Sequence, residues 1–318
     1  MTVAVMTYQS GLYVLETLES VFNQTYENIE LLISDDCSKD NTLEIVNQWM
    51  ADEKNIQRFT DVKLITVPEN TGISANCNRV IDAASSDWIK YIAGDDILFR
   101  DCIENNMAFA NSNPHANIIF SQVKVYQDDF SEKNYVKTTP EKFPDNLMHT
   151  SLTAQDQFHL LVVSDRIHYT PSSFFNRHAL LKVGGYDEAN KLVEDYPMWL
   201  KLTQSGERLY YFHKETVGYR IHSKAINNVG NTVLFKPSAI NNFKIRKAVA
   251  HSFLPWEMVQ SEQHIYRVSR FFQNNGWNKN TKLYSKMYRF ASFYLNPFHY
   301  IYAFKKRLPG NKNNPFYS

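Results

Sequence analysis

The sequence predicts an α/β protein with a mostly parallel, Rossmann-like sheet, helices on both of its faces and a helical, basic C-terminal segment. Over the first 125 residues, short apolar runs alternate with segments of helical periodicity. The apolar runs are continuous rather than alternating, which is typical of parallel strands buried on both faces. From about residue 236 onward the pattern becomes helical, aromatic and basic.

The first part of the chain contains five apolar runs that are predicted to be strands. They span residues 3–6, 29–33, 62–67, 88–93 and 118–126. Apolar residues at helical spacing predict helices between the strands, over 11–24, 42–50 and 72–84. Asn41, followed three residues later by Glu44, is typical of a helix start and supports the second of these helices.

The middle of the chain is predicted to be less regular. Residues 127–150 are polar, contain Pro140 and Pro144, and are predicted to be a long loop. Helices are predicted over 154–164 and 194–204, and a strand over 208–213. We therefore expect one domain over residues 1–230, formed by halves 1–125 and 126–230, and a helical extension over 231–318.

Composition excludes several classes of protein. The chain has 318 residues and is 43% hydrophobic, which indicates a folded globular protein. Its three cysteines are too few for a disulfide framework or a zinc site, so a reduced, cytoplasmic compartment is expected. The sequence does not begin with a basic region and long apolar core, and no run approaches the ~18 apolar residues of a membrane span, so neither a signal peptide nor a span is expected.

Charge is distributed unevenly along the chain. Residues 235–318 contain fourteen Lys and Arg and two acids, a formal charge of +12 in a chain whose total is +1. Such asymmetry predicts an acidic partner, either lipid headgroups or nucleic acid. Basic residues are interleaved with aromatic residues between 282 and 307, which favours a membrane surface. The alternative is that these rings pack against the protein itself.

Pairs of carboxylates follow two of the predicted strands. Asp35 and Asp36 follow the second strand, and Asp95 and Asp96 follow the fourth. Ligands of such sheets lie outside the carboxyl ends of the strands. Adjacent carboxylates repel each other, and a divalent cation relieves that repulsion. A solvated Gly-Asp-Asp turn is the alternative interpretation.

A third acidic pair, Glu194 and Asp195, comes at the start of a predicted helix. Acids commonly occupy the first turn of a helix, so a structural role explains the pair on its own. A carboxylate can also act as a general base that removes a proton from an attacking hydroxyl. The residues alone leave both interpretations open.

Taken in order, several motifs resemble family 2 glycosyltransferases of the GT-A fold over roughly residues 2–225. No single motif is specific, but the ordered set is. The motifs are Val3–Tyr8, Leu18–Tyr26, Ile29–Thr42, Glu69–Ser74, Ala93–Asp96, Gly184–Asp187, Glu194–Tyr196 with Trp199 and Leu200, and Tyr219–His222.

The resemblance implies an inverting transfer of a sugar from a nucleotide sugar, with UDP favoured, to an acceptor hydroxyl. It implies Mn²⁺ or Mg²⁺ as cofactor and a lipid-linked or cell-envelope glycan as acceptor, met by a peripheral enzyme at the cytoplasmic face of the membrane. Position by position, it implies a catalytic base at Asp195 beside Glu194; donor contacts by Thr7, Tyr8, Asp35, Asp36, Asn78, Arg79 and Asp95; metal ligation by Asp96, Asp95 and His222; and acceptor contacts by Gly184, Gly185 and Trp199.

The sequence departs from the family pattern at two positions. Many members have an acidic residue where Ala93 stands, which weakens the expectation of a metal. Many have an arginine where Cys77 stands, and Arg79 is a candidate to replace it, so the identity of the donor stays open.

The sequence also bears on other possible functions. A dinucleotide-dependent oxidoreductase requires a Gly-x-Gly-x-x-Gly turn after the first strand, and residues 7–11 contain only Gly11. A nucleotidyltransferase requires a glycine-rich basic first loop, which the sequence lacks. A catalytically silent nucleotide-sugar-binding or membrane-docking module stays open, whereas binding of nucleic acid by the basic segment is not expected.

Overall fold

In the computed structural model the described residues are 1–189, 193–222, 233–235, 237–311, 314, 316 and 317. They form two compact units. The first comprises residues 1–158 and 166–221, and the second comprises 159–165 and 222–318. The domain boundary expected after residue 230 lies outside the described residues, as do Lys236 and Lys312 of the basic segment.

A nine-stranded mixed sheet forms the centre of the first unit. Its order is β3-β2-β1-β4-β8-β6-β9-β5, with β7 paired to β6. The pairs β1–β2, β2–β3, β1–β4 and β6–β9 are parallel, and the shorter pairings of β5, β7 and β8 are antiparallel. The strands are β1 Thr2–Thr7, β2 Glu30–Asp35, β3 Asp61–Thr66, β4 Trp88–Ala93, β5 Ile97–Leu98, β6 Ile118–Gln127, β7 Tyr135–Thr139, β8 Phe174–Asn176 and β9 Leu209–Ile221.

Nine α-helices begin among the described residues of this part of the chain. They are α1 Val14–Phe22, α2 Thr42–Met50, α3 Glu53–Gln57, α4 Ile73–Ala83, α5 Cys102–Ser112, α6 Asp145–Met148, α7 Ala154–Val163, α8 Arg177–Lys182 and α9 Asp195–Gln204. Every residue of β1 and β2 is buried, as continuous apolar runs require. The predicted fold class is therefore confirmed.

Two local predictions need correction. The expected loop over 127–150 contains β7 and α6, because residues 135–139 hydrogen-bond to β6 although their side chains are mostly polar and none is buried. The strand expected over 208–213 continues to Ile221. Exposed residues His213 and Lys214 interrupt its apolar pattern, and the pairing of β9 with β6 shifts register nearby.

The second unit is helical, as predicted from residue 236 onward. Its helices are α10 Pro237–Val249, α11 Trp256–Asn274, α12 Lys282–Arg289 and α13 Pro297–Lys306. Buried Glu257 is paired with Lys305 at 2.9 Å, which joins α11 to α13. Among the described residues, no helix is both long and apolar enough to cross a membrane.

Candidate active site at the carboxyl edge of the sheet

The register of the parallel strands aligns the carboxyl ends of β1, β2 and β4 at one edge of the sheet. Thr7 of β1 is level with Asp35 of β2, and Met6 is level with Ala93 of β4. Gly94 then donates its backbone N–H to Met6 O at 2.8 Å. A Cβ at Gly94 would lie 3.0 Å from Thr7 Cγ2, so glycine permits the close approach of these two strand ends. The predicted residues of the donor edge are thus brought together.

Asp35 and Thr7 organise the loops that follow β1 and β2, which Gln9 N–H joins by donating to Ser38 Oγ at 2.9 Å. Thr7 Oγ1 donates to Asp35 Oδ2 at 2.9 Å, and Ser38 N–H donates to Asp35 Oδ1 at 2.8 Å. Both Thr7 and Asp35 are at most 1% exposed. Their effect on a ligand is therefore indirect, through the shape of these loops. Tyr8, which follows β1 and is predicted to contact the nucleotide sugar, is 46% exposed.

Asp36 lies at the centre of a hydrogen-bonded cluster. Its Oδ1 accepts from Thr71 N–H, Thr71 Oγ1 and Arg79 Nη2, and its Oδ2 accepts from Gly72 N–H. Burial alone would raise the pKa of Asp36, but the hydrogen bonds from Thr71, Arg79 and Gly72 keep this pKa below its ordinary value. A carboxylate oxygen commonly accepts about two hydrogen bonds; from the described residues Oδ1 accepts three and Oδ2 accepts one. Oδ2 therefore retains capacity for one further donor.

A cavity of about 400 Å³ lies beside this cluster. Polar and charged side chains line it, including those of Asn70, Asn78, Arg79, Asp82 and Glu188. Arg79 reaches both the cavity and Asp36, to which it is paired at 2.9 Å. Arg79 therefore supplies a cation at this cavity, whereas Cys77, where many family members have an arginine, is buried.

The two carboxylates after β4 differ in accessibility. Asp95 is half-buried, whereas Asp96 is 2% exposed and accepts Arg220 N–H on Oδ1 at 2.8 Å. Burial and the neighbouring charge of Asp95 raise the pKa of Asp96 well above its ordinary value. Asp95 is therefore the member of the pair that can reach a ligand directly.

The residues at this edge fit a divalent cation only in part. Across the described ranges, no three His, Cys, Asp or Glu side chains form a group that could hold a metal ion. Mg²⁺ is commonly held by one or two carboxylates together with substrate phosphates, and Asp95 with Asp96 supplies that number. Burial, followed by the charge of Asp95, raises the pKa of Asp96, and a cation held there would relieve the repulsion between the two carboxylates.

Arg220 connects the elements around Asp95 and Asp96. Its side chain is 3% exposed and donates to Asp95 O at 2.8 Å, to Asp128 O at 2.6 Å and to the Glu16 carboxylate. Its guanidinium also lies over the rings of Tyr13 and Phe130, at 4.4 and 4.2 Å. The Gly-Asp-Asp turn is thereby fastened to α1 and to the loop after β6.

His222 follows Ile221, the last residue of β9, and is buried. It is the first residue of the second unit after that strand. Its expected contact with a metal stays a prediction.

Glu194 and Asp195 stand at the start of α9. Asp195 Oδ2 accepts from Thr170 Oγ1 at 3.0 Å, and Oδ1 accepts from Tyr196 N–H at 2.7 Å. Two donors thus hold the Asp195 carboxylate in one orientation. Burial, followed by the charge of Asp195, raises the pKa of Glu194 to about 7. Such pairs of carboxylates with a raised pKa are frequent at functional sites.

The Gly184–Gly185 turn is held against α4. Gly185 has φ +68°, and a Cβ there would lie 2.6 Å from Asn78 Oδ1. Asn78 accepts Tyr186 N–H at 2.8 Å and donates to Tyr186 O at 3.0 Å. Asn78, predicted to contact the donor, therefore also fixes the turn that is predicted to contact the acceptor. Gly184 is exposed with φ +75°.

The sequence also matches a known family of proteins. The model of the family described as "Glycosyl transferase family 2" matches residues 2–180, more than half of the chain.

The chain belongs to glycosyl transferase family 2.

Relatives and solved structures agree with this assignment. An uncharacterized glycosyltransferase of Rickettsia typhi is 22% identical over 284 residues, which is 89% of this chain and 82% of the relative. The UDP-Gal:alpha-D-GlcNAc-diphosphoundecaprenol beta-1,3-galactosyltransferase of Escherichia coli is 24% identical over 64% of this chain and 66% of its own length. The structure of S. aureus TarS 1-349 with UDP-GlcNAc has a TM-score of 0.58 at 17% identity, covering 92% of this chain and 78% of the other. The mannosyltransferase PcManGT of Pyrobaculum calidifontis, with GDP-Man and Mn²⁺, has a TM-score of 0.51 at 15% identity, covering 98% of this chain and 77% of the other.

One residue expected to contact the acceptor of this glycosyltransferase does not reach the surface. Trp199 is 1% exposed; it stacks on Phe175 with ring centroids 5.9 Å apart and meets Phe120 edge-on at 5.0 Å. The assignment of Trp199 to direct acceptor contact is therefore wrong, because its ring lies in the core beneath α9. Its apolar spacing in the helix was the available signal.

Two buried cations of the glycosyltransferase, Arg220 and Lys90, have no role predicted from the sequence. Arg220 belongs to the recognised Tyr219–His222 motif, but only His222 was given a role. Lys90 lies within the apolar run of β4 and is fully buried. A charged residue inside such a run is the signal that could have identified it, since lysine is almost never fully buried without partners.

Proposed function

We propose that this glycosyltransferase transfers a sugar from a UDP-sugar to an acceptor hydroxyl with inversion at the anomeric carbon. The observation that carries the proposal is the presence in one unit of an accessible carboxylate at the sheet edge, Asp95, and of an oriented acidic pair at the start of α9, Glu194 and Asp195. Asp95 could bind the departing diphosphate through a cation. The acidic pair could accept the proton of the attacking hydroxyl.

On the donor side, Asp95 is the proposed metal ligand, with buried Asp96 behind it. A divalent ion held there would neutralise the charge that develops on the departing diphosphate. Arg220 keeps the turn in place by its bond to Asp95 O. Asp96 accepts the Arg220 N–H and holds the other side of the turn.

On the acceptor side, Asp195 is the proposed general base. It removes the proton from the acceptor hydroxyl as the oxygen attacks the face opposite the leaving group. A single displacement of this kind inverts the configuration. Thr170 Oγ1 and the Tyr196 N–H hold the Asp195 carboxylate by hydrogen bonds.

Asp36 is proposed to bind the pyrimidine ring of the nucleotide. Among the described residues, Gly72 N–H is the donor to Asp36 Oδ2, and the ring N–H of uracil is a suitable second donor. The related E. coli enzyme, named for UDP-Gal, and the TarS complex with UDP-GlcNAc favour UDP, whereas PcManGT binds GDP-Man. The nucleotide is therefore best decided by measurement.

UDP should stabilise the protein and compete with donor more strongly than GDP or ADP. Thermal unfolding with each nucleotide and Mn²⁺ measures this, because a ligand raises the unfolding midpoint according to its affinity. Asp36→Asn should reduce the preference for UDP, whereas Asp87→Asn, at an exposed carboxylate, should not. Equal stabilisation of the wild type by the three nucleotides would remove Asp36 from base recognition.

We further propose that the second unit docks on an anionic membrane, where a lipid-linked or envelope glycan acceptor is met. Four exposed apolar residues recur along one face of α12 and the turn after it, and we call them the α12 stripe: Leu283, Met287, Phe290 and Tyr294. Lys282, Lys286 and Arg289 are exposed beside them. An apolar stripe flanked by cations matches a helix that lies in the headgroup region.

An apolar cavity of about 570 Å³ adjoins the α12 stripe. Phe271, Phe272 and Trp277 line it, together with Met287 and Phe290 of the stripe. Arg267 and His264 are its cationic or ionisable lining residues. This combination of apolar lining and basic charge is complementary to an amphiphile with an anionic headgroup.

The substitution of Leu283 and Phe290 by serine should abolish flotation with anionic vesicles at low salt. These side chains are 65% and 56% exposed, so their loss should not affect the fold, and each contributes on the order of 1–2 kcal/mol when inserted. The matched control replaces Leu12 and Leu15, which are 66% and 49% exposed in the first unit. Absence of wild-type flotation, or equal loss in the control, would contradict membrane docking by the α12 stripe.

A further inference from the structure

Lys90 is a fully buried cation in the middle of β4. Its side chain has no solvent exposure, and the flanking residues Ile89 and Ile92 belong to the core. A buried ammonium group is costly unless hydrogen bonds compensate for the lost water. Nζ donates to Pro171 O at 2.7 Å and to Ser173 O at 3.2 Å. Burial lowers the pKa of Lys90 to about 8, opposed by the charges of Cys102 and Asp96.

Both acceptors belong to the short turn that leads into β8. The turn spans Thr170–Ser172, and Ser173 follows it. The hydroxyl of Thr170 donates to Asp195 Oδ2 at 3.0 Å. Lys90 is therefore connected to the carboxylate at the start of α9 through its hydrogen bonds to the turn, the backbone of the turn and the hydrogen bond of Thr170.

The turn has a second attachment that is independent of Lys90. Ser172 Oγ accepts Ser121 N–H at 3.0 Å and donates to Tyr169 O at 2.7 Å. These bonds fasten the turn to β6, so it should remain in place as a whole when Lys90 is replaced. Lys90 instead fixes the carbonyls on either side of Ser172, and with them the position of Thr170.

We propose that Lys90 is a positioning residue that holds the 170–173 turn so that Thr170 keeps Asp195 in the orientation required for proton removal. The inference rests on the proposed function of Asp195. A misplacement of about 1 Å at a reacting group costs as much as ~10²-fold in rate. Lys90 acts on Asp195 through the turn and Thr170, and its loss should therefore have a measurable effect on the rate.

The test compares Lys90→Met, Lys90→Gln and Thr170→Val in the full chain, with UDP release from UDP-GlcNAc and UDP-Gal as the assay. Lys90→Met should lower kcat ~10- to 100-fold and change the donor KM less than kcat, because both hydrogen bonds of Nζ go to the turn that holds Asp195. Lys90→Gln, which retains amide donors, should recover part of kcat. The double variant with Thr170→Val should lose less than the two single losses combined, since both act on Asp195.

Arg58→Met is the matched control. Arg58 also fastens a loop by donating to backbone carbonyls, those of Phe22, Gln24, Tyr26 and Glu27, but this loop carries none of the proposed site. It should lower the unfolding midpoint without lowering kcat. If Lys90→Met and Arg58→Met lower the midpoint alike and both leave kcat unchanged, the positioning role is overturned. Should Lys90→Met fail to fold, Lys90→Gln and Thr170→Val decide by the same kcat comparison.

Hydrogen exchange of backbone amides in residues 169–174 separates this inference from the proposed function. Exchange in this segment should be faster in Lys90→Met than in the wild type and unchanged in Arg58→Met, whether or not UDP is released. If the wild type releases no UDP from any donor, the proposed function fails while exchange still reports on the turn. Unchanged exchange in Lys90→Met would overturn the role of Lys90 in either case.

Discussion

Asp195→Asn is expected to lower the rate of glycosyl transfer by ~10²–10⁴-fold, the usual cost of losing a general base. Asparagine is nearly isosteric with aspartate and retains an oxygen that can accept from Thr170, so the start of α9 should keep its structure. It cannot accept the proton of the attacking hydroxyl. Donor affinity should be nearly unchanged, because Asp195 acts on the acceptor.

The measurement is UDP release under saturating donor, together with calorimetric binding of UDP. Glu207→Gln is a suitable control, since Glu207 follows the opposite end of α9 and is paired with Lys182. It should keep both activity and UDP affinity. A variant at Asp195 that loses UDP affinity but keeps its turnover would remove this residue from the role of base.

Asp95→Asn is expected to abolish metal-dependent donor binding and lower turnover by at least ~10²-fold, because the departing diphosphate loses its counter-charge. EDTA should silence the wild type, and Mn²⁺ or Mg²⁺ should restore it. The readout independent of turnover is the affinity for UDP, which Mn²⁺ should increase in the wild type and not in Asp95→Asn.

The companion variant Asp96→Asn identifies which carboxylate reaches the cation. Its amide oxygen can still accept Arg220 N–H, and a buried charge is removed, so the fold should survive. If the ligand is Asp95, the effect of Mn²⁺ on UDP affinity persists in Asp96→Asn; if both ligate, it disappears in both variants. Full activity of the wild type in EDTA would contradict metal use altogether.

Much of the fold was predictable because burial leaves a clear pattern. The apolar runs of β1, β2 and β4 and the helical spacing of α2 and α9 correspond closely to the elements observed. β7 was not predictable, since its mostly polar residues, none of them buried, form a strand by pairing with β6. Pairing with a distant strand is not visible in local composition.

The chemistry of the candidate site was easier to predict than its accessibility. Strand ends identified the Asp35–Asp36 and Asp95–Asp96 pairs, but not that Asp35 and Asp96 are buried. Burial of this kind depends on partners far along the chain, such as Arg220, which lies 124 residues after Asp96. Lys90 and Pro171 are likewise 81 residues apart, which explains why the role of this lysine emerged only from the structure.

Inverting transfer from a nucleotide sugar is tested most directly by the anomeric configuration of the product that forms first. Time-resolved proton NMR of the full-length protein with α-linked UDP-GlcNAc or UDP-Gal and Mn²⁺ follows UDP release and the configuration of the released or transferred sugar together. We predict that the first product is the β-anomer and that it forms with UDP in equal amounts. A first-formed α-anomer would contradict the single displacement by an oxygen that Asp195 deprotonates, and absence of UDP release from every nucleotide sugar would contradict the proposed transfer itself.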